Sequence, residues 1–434
     1  MATFSHSVRH VKQHLDEVAH EHDIVGICRK LGHRWRQRQC GPVATVQLVL
    51  IQLLAKVSLE GLRRVAQVSA SAQSICSAKM RLPLKLLLEL VRRSVPGWDS
   101  DDGSPSLWRG LKVLLVDGTS FMVPDKPKLV QRYGKARNQR GTSAGYPMAK
   151  LLALMDRRSG FIRKVIALPC ARQEFTCLSR LFKAVGLGAL LMGDRGLVSF
   201  THLALMVRQG IQGCFRLPRG QVVWGRGKAS RRLIKRLGKQ DLLVQWSASQ
   251  RPTWMSKSRW EKLKLTDTRL TLRQISFRVC RRGFRVHWAW IITTLLDPQQ
   301  YPAQELIELY SQRWQIEVYF RDLKQTLGMK RISAQTEAGV QKELAAFVLL
   351  YNLVRRVMQR AAVQQGTTPD RISFIDASRW LLWTSPGEPL GRLKVNPIRV
   401  RRSPPRRLKN ARHRYPQLNA SRRQLSNPPY RVVL

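Results

Sequence analysis

The sequence predicts an α/β protein with a helical N-terminal domain, a mixed-sheet core broken by a β-rich insertion, and a basic C-terminal tail. Three observations carry that expectation. Apolar residues recur at helical spacing over residues 7–95, as in Val46, Val49, Leu50, Leu53 and Leu54. Two short apolar runs each end at an aspartate, and a helical pattern covers about 303–328.

The N-terminal helical stretch closes at Asp99, Ser100, Asp101, Asp102, Gly103, Ser104 and Pro105, a polar turn-rich boundary. Val113, Leu114, Leu115 and Val116 then form a branched apolar run ending at Asp117-Gly118, as suits a central strand buried on both faces. Residues 148–155 and 161–168 predict two more strands around a turn at 156–160, so the three together form a meander. A helix over 174–185 leads to Ala189, Leu190, Leu191 and Met192, a second buried strand ending at Gly193-Asp194. A helix over 199–208 and a fifth strand over 213–217 follow. Three strands, helix, strand, helix, strand, closed by the long helix, is the order of a ribonuclease-H-like core. Residues 218–300 alternate in strand fashion, as in Ile275 to Val279 and Phe284 to Trp288, with a hairpin turn at Arg281-Arg282-Gly283. The expected domains are 1–105, helical and DNA-binding; 106–217, first part of the core; 218–300, the insertion; 301–360, second part of the core with the catalytic helix; and 361–434, a basic region that dimerises or contacts DNA.

Seventy-seven lysines and arginines against 27 acidic residues give a net charge of +50, a field that draws the chain to polyanions, nucleic acid first. Ten of the basic residues crowd the tail between Arg392 and Arg414, where a solvated arm would still track phosphates. The 44% hydrophobic content argues against disorder throughout. The longest near-apolar run, 43–55, is interrupted by Gln47 and Gln52 and falls short of the roughly 20 residues a membrane span needs. With no secretory pattern at the N-terminus, the expected location is the cytoplasm, associated with the nucleoid, without membrane contact. Seven scattered cysteines without a Cys-x-x-Cys pair argue against a disulfide framework and a zinc ribbon. Histidines 6, 10, 14, 20 and 22 are expected as surface polarity, with metal binding the alternative.

A carboxylate at the end of a buried strand is costly unless something uses it. Asp117 and Asp194 both hold that position, and adjacent parallel strands would bring them together at one sheet edge, where like charges need a cation. Oxygen ligands without a histidine or cysteine cluster favour magnesium or manganese over zinc. Each aspartate alone also suits an ordinary turn, since Asp-Gly and Gly-Asp are common turn dipeptides. On the long helix, Arg313, Glu317 and Lys324 lie within about 60° of Tyr310 at roughly 100° per residue, so the four share one polar stripe. Ile316, Phe320, Leu323 and Leu327 form the apolar stripe beside it.

Tyr310-x2-Arg313-x3-Glu317-x6-Lys324 resembles, in every residue and spacing, the signature of transposases of the insertion sequence 4 family. Val116-Asp117-Gly118-Thr119 and Gly193-Asp194-Arg195-Gly196 are similar to that family's two aspartate segments, as are Ala78 to Pro83 and Gly145-Tyr146-Pro147 to other family words. The resemblance implies a DDE transposase of a bacterial insertion sequence that binds terminal inverted repeats, then cleaves DNA and transfers strands. By it, Asp117, Asp194 and Glu317 would be catalytic and hold two magnesium or manganese ions, and Tyr310, Arg313 and Lys324 would meet transposon-end DNA. Trp290, or its neighbour Trp288, would stack on an extruded base, with burial in the insertion as the alternative. A homodimer on double-stranded DNA, bridging two ends and the target, is also implied. The rival readings are a ribonuclease-H-like nuclease that cuts without joining, and an inactive remnant that only occupies its ends. In the N-terminal domain, His10, Lys12, Arg29, Lys30, Arg34, Arg36 and Arg38 supply charge for reading the repeats, outside any diagnostic helix-turn-helix pattern.

Overall fold

The chain opens with α1 (His6–Asp16), α2 (Glu21–Lys30), α3 (Pro42–Ala55), α4 (Leu59–Ala66), α5 (Ala72–Arg81) and α6 (Leu84–Ser94). Pro42 starts α3, where its missing N–H costs nothing, and Ser58 and Ser71 cap α4 and α5 with their hydroxyls. The computed structural model describes residues 6–36, 38–96, 107–137, 143–224, 227–228, 230–248, 250–279 and 287–397. The expected boundary at 99–105, the turn at 281–283 and the arginine-rich tail from Arg399 onward lie outside the described residues. No single helix among those residues is long and apolar enough to cross a membrane; α3 and α4 pass such a test only as a pair bent by 107°. Most of α3 is buried inside the protein.

The core follows as β1 (Lys112–Met122), α7 (Pro127–Tyr133), β2 (Lys135–Arg137), β3 (Ser143–Asp156), β4 (Ile162–Pro169), α8 (Phe182–Val185), β5 (Ala189–Gly193), α9 (Phe200–Arg208) and β6 (Gln212–Arg216). β1, β3 and β4 form the expected antiparallel meander, and β5 and β6 join β1 in parallel. The expected helix over 174–185 is instead a 3-10 stretch, Glu174–Arg180, followed by the single turn of α8. Next come β7 (Gly227–Lys228), β8 (Arg231–Gly238), β9 (Asp241–Ser247), α10 (Lys257–Lys262), β10 (Arg269–Val279) and β11 (His287–Thr293). Because β11 pairs with β6, the strands of the insertion continue the core sheet in the order β2-β3-β1-β5-β6-β11-β10-β9-β8-β7.

Alternation along β1 assigns the two faces. Val113 and Leu115 join a core with α1 to α6 and the C-terminal helices, whereas Leu114 and Val116 join one with α9 and the insertion. Asp117 continues the first parity, so it belongs to the face covered by α11 (Ala303–Ser311), α12 (Gln315–Arg321), α13 (Glu337–Gln364) and α14 (Phe374–Trp383). α13 is buried on nearly all sides, which explains its apolar run from Ala345 to Val354.

His10 and His14 depart from the expected surface polarity: both are buried, packed edge-on against Trp380 of α14. They share the i, i+4 stripe of α1 with Val11 and Leu15, and that stripe faces the core. The His10 ring sits 3.0 Å from the Leu381 carbonyl oxygen, and burial lowers its pKa.

In the insertion, the fully buried Arg273 donates two hydrogen bonds to Asp241, at 2.8 and 2.5 Å. Asp241→Ala is expected to cost about 3–5 kcal/mol in urea unfolding, because it strands a buried guanidinium. A loss below about 1 kcal/mol would mean that the pair contributes little.

Candidate active site

β1 and β5 pair in parallel with Val116 opposite Gly193, so Asp117 and Asp194 follow that pair side by side; β5 ends there, whereas β1, expected to end at Asp117, runs on to Met122 because β3 still pairs with it, with Asp117 opposite Ala153. Gly193 makes the end of β5 unusually close-packed: a Cβ there would fall 2.7 Å from the Phe215 ring and 3.2 Å from Val116. Asp117 accepts from the Gly118 amide at 2.8 Å. Burial raises its pKa and the Asp194 charge adds to that, against the Gly118 amide and Arg313, which lower it.

The expected single helix over 303–328 is broken twice. A 3-10 turn, Gln312–Trp314, joins α11 to α12, and a π turn, Asp322–Thr326, follows with Leu327 N donating to Asp322 O. Tightening and loosening of this kind inside a helix often marks a functional site. The polar stripe nevertheless faces the sheet edge. The buried Tyr310 hydroxyl donates to the Gly193 carbonyl at 3.1 Å. Arg313 donates to Asp117 Oδ2 at 3.0 Å, and its other terminal nitrogen lies 3.9 Å from Glu317 Oε1. Lys324 donates to Thr119 Oγ1 at 3.0 Å. Thr119 and Asp117 share a face of β1, so Arg313 and Lys324 lie in sequence along that strand. The Arg313 pKa is raised: burial alone would lower it, but Tyr310, Asp117, Asp194 and Glu317 outweigh that. The Lys324 pKa is lowered by burial and by Lys330.

Sequence reasoning expected Asp117, Asp194 and Glu317 around a cation. The structure sets Asp117 beside Asp194 and links Asp117 to Glu317 through the Arg313 guanidinium. Among the described residues, no group of three or more His, Cys, Asp or Glu side chains is gathered closely enough to hold an ion. The physical reason is that Arg313 itself supplies the positive charge between Asp117 and Glu317. The donor set still suits a hard divalent cation, being all carboxylate, with Asp117 disfavoured as an isolated anion and Glu317 45% exposed.

Trp290 lies at the same level of the sheet but packs on the opposite face from Asp117, against the core of α9 and the insertion. Its carbonyl accepts from Leu217 N at 2.8 Å, just beyond the residue that pairs β6 with the end of β5. Two strand spacings, on the order of 10 Å, separate β11 from β5. Trp290 is half-buried, and the exposed Trp224 meets it edge-on at 5.5 Å. Trp288 is exposed on the same strand.

Sequence reasoning missed Thr119, Trp224 and a buried network behind the helix that carries Glu317. The Tyr319 hydroxyl lies 2.8 Å from both Asp370 Oδ1 and the Arg157 carbonyl, Gln315 donates to Asp370 at 3.0 Å, and the buried Arg355 pairs with Asp370 at 3.3 Å. The signal was an arginine, Arg355, directly after the apolar run of α13 and still on its buried face.

Residues 108–353 match the family model described as the transposase DDE domain. The chain is 26% identical over 362 residues to the transposase InsG for insertion sequence element IS4 of Escherichia coli (strain K12), covering 79% of this chain and 77% of that protein. A 73-residue stretch, 17% of this chain and 19% of the relative, is 33% identical to a probable transposase for insertion sequence element IS5377 of Geobacillus stearothermophilus. A solved piggyBac transposase synaptic complex with hairpin DNA aligns over 87% of this chain and 78% of its own, at a TM-score of 0.43 and 9% identity. The signature from Tyr310 to Lys324, the two aspartates side by side on β1 and after β5, and the match over residues 108–353 agree, and the chain belongs to the DDE transposases of the insertion sequence 4 family.

Proposed function

We propose that this transposase cuts and joins the ends of its own insertion sequence with Asp117, Asp194 and Glu317 as the metal-holding residues, on a ribonuclease-H-like core. The observation that carries the reading is the parallel β1/β5 pairing, which sets the Asp117 carboxylate, within β1, beside Asp194, just past the end of β5, under a helix bearing Arg313, Glu317 and Lys324. The run of antiparallel meander, then two parallel strands with helices between, supports the core assignment.

Members of the family bind DNA and work with divalent metal ions; the proposal here is two magnesium or manganese ions held by the three carboxylates. When bound, the ions would polarise the scissile phosphate and favour the attacking and leaving oxygens of an in-line displacement. An oxygen of water or of a DNA 3′-hydroxyl gives up its proton and bonds to phosphorus, the P–O3′ bond breaks, and the departing oxygen is protonated. Tyr310 anchors the helix to β5, and burial raises its pKa, which keeps its donor proton in place. Arg313 holds Asp117 in position while its remaining N–H donors face a phosphate, and Lys324 meets the next phosphate from beside Thr119. Trp290, with Trp224 against its edge, takes a base extruded from the duplex. The protein works as a homodimer bridging two ends, in the cytoplasm and on the nucleoid.

Purified protein with Mg2+ is expected to cleave and then join duplexes carrying the element's terminal inverted repeats, and EDTA to stop both steps. Cutting without joining would identify a nuclease instead, and binding without cutting a remnant. Lys324→Ala is expected to slow end cleavage about ten- to a hundredfold, since hydrogen bonds to charged groups are worth about 1.5–3 kcal/mol. Unchanged cleavage by that variant would remove Lys324 from the site.

A further inference from the structure

Two cations line the face of β1 that carries Asp117, and they are held differently. Arg313 is bonded to Asp117 itself; burial works against its charge, but Tyr310 and the three acids raise its pKa. Lys324 sits two residues farther along the strand, donating to Thr119 Oγ1 at 3.0 Å. Its place is fixed from several sides. Leu323 and Leu327 of the same helix are buried, Lys330 N donates to the Lys324 carbonyl at 3.2 Å, and Met122 N at the end of β1 donates to the Lys330 carbonyl at 2.9 Å. Lys324 is half-buried, and burial first, then the charge of Lys330, lowers its pKa; among the described residues no carboxylate counters them.

An alkoxide is a strong base, so the O3′ that departs from phosphorus needs a proton as its bond breaks. The other groups around Asp117 suit that task poorly. Tyr310 already donates its proton to the Gly193 carbonyl, and burial raises its pKa. Arg313 holds its protons more tightly than a free arginine. Asp117, Asp194 and Glu317 are occupied by ions in the proposed chemistry. Of these groups Lys324 alone has its proton loosened, and a clamp that needed only charge would be served better by a second arginine.

We propose that Lys324 is the general acid of strand cleavage: its ammonium gives a proton to the departing 3′ oxygen as a water oxygen bonds to phosphorus and the P–O3′ bond breaks. The attacking water releases a proton to solvent and the amine takes one back, so no further reactant is needed. Asp117 and Thr119 stand two residues apart, roughly 7 Å along an extended strand. The departing O3′ belongs to the sugar between the reacting phosphate and its neighbour, so a lysine seated one such step from the carboxylate reaches it. The proposal rests on the transposase reading and adds to it the source of the leaving-group proton.

The test is single-turnover cleavage, at saturating protein, of a terminal-repeat duplex with the natural scissile O3′ and of one with sulfur in its place, both in Mn2+. A departing thiolate needs no proton. Lys324→Ala is expected to slow the oxygen substrate about a hundredfold and the sulfur substrate less than about threefold. Lys324→Arg keeps the charge but releases no proton near neutral pH, and is expected to be as slow as Lys324→Ala on oxygen and near wild type on sulfur. In Mg2+, the wild-type rate on oxygen should fall as pH rises toward about 10.4, the ordinary lysine value, because the donor must be protonated. That fall should be missing from both variants. Circular dichroism melts establish that both are folded. Recovery by Lys324→Arg on oxygen, or equal slowing of both substrates by Lys324→Ala, would overturn the proposal, leave Lys324 a phosphate clamp and spare the catalytic reading. Wild-type protein that cleaves neither substrate would bring down both.

Discussion

Glu317→Ala is expected to abolish end cleavage, by at least about 10³-fold, while leaving affinity for the terminal repeats within a few-fold of wild type. Glu317 is exposed and its one ion pair among the described residues is the long 3.9 Å contact with Arg313, so the fold loses little when it goes. On the proposed chemistry, a metal ligand is lost. Single-turnover cleavage on a labelled end, run beside anisotropy on the same duplex, separates the two effects. Residual cleavage within tenfold of wild type would remove Glu317 from the site. Loss of binding together with cleavage would point to a DNA-contacting role instead. Asp117→Asn should behave like Glu317→Ala, with one difference: Arg313 then loses its nearest anion at 3.0 Å, so a modest fall in stability should accompany the lost activity.

Asp370→Ala is expected to lower stability by about 3 kcal/mol and to slow cleavage, although Asp370 belongs to none of the three carboxylate positions. Its carboxylate is the counter-ion of Arg355, whose side chain is 1% exposed and whose guanidinium also stacks over the Tyr319 ring at 4.9 Å. Removing the anion strands that charge in the interior. Asp370 keeps some contact with water, which places the cost at the low end for a buried pair. The effect on cleavage follows from Tyr319 and Gln315, which flank Glu317 on α12 and both bond to Asp370. Burial raises the Tyr319 pKa, so its hydroxyl keeps the proton it donates. Asp370→Asn, which can still accept from Tyr319, should recover more cleavage than stability. Equal recovery of both would reduce the network to a general packing role. Gly160 belongs to the same anchor: at φ +72° it leaves room for the guanidinium, and a Cβ there would fall 2.5 Å from Arg355 Nη2.

The strands that lead to Asp117 and Asp194 were legible because a run buried on both faces has to be continuously apolar; that β1 continues past Asp117 to Met122 was not, since its second half is only partly buried and is held as strand by β3. The stripe of Tyr310, Arg313, Glu317 and Lys324 was legible as one face for the same geometric reason. Its breaks were not, since the 3-10 and π turns arise from how Tyr310, Arg313 and Lys324 each reach a different point on the sheet edge, a tertiary demand without a local sequence mark. The burial of His10 and His14 was hidden in the same way: their i, i+4 spacing gives a face, and only Trp380, far along the chain, makes that face interior. Arg313 as the link between two acids was also out of reach, because helical spacing shows that it neighbours Glu317 but not that Asp117 lies across from both.

The unbroken hydrogen bonding from β6 through β11 into the insertion has a mechanical consequence. A sheet is stiff along its ladder, so the tryptophan edge cannot swing toward or away from the carboxylates like a hinged arm. The spacing between them acts as a fixed gauge. Any DNA that fills both places must itself bend or unstack to match it, and the work of fitting falls on the nucleic acid. Ends whose outermost steps unstack easily, such as TA or CA, should fit at lower cost than stiff ones, so the protein would select them through their deformability without touching those bases.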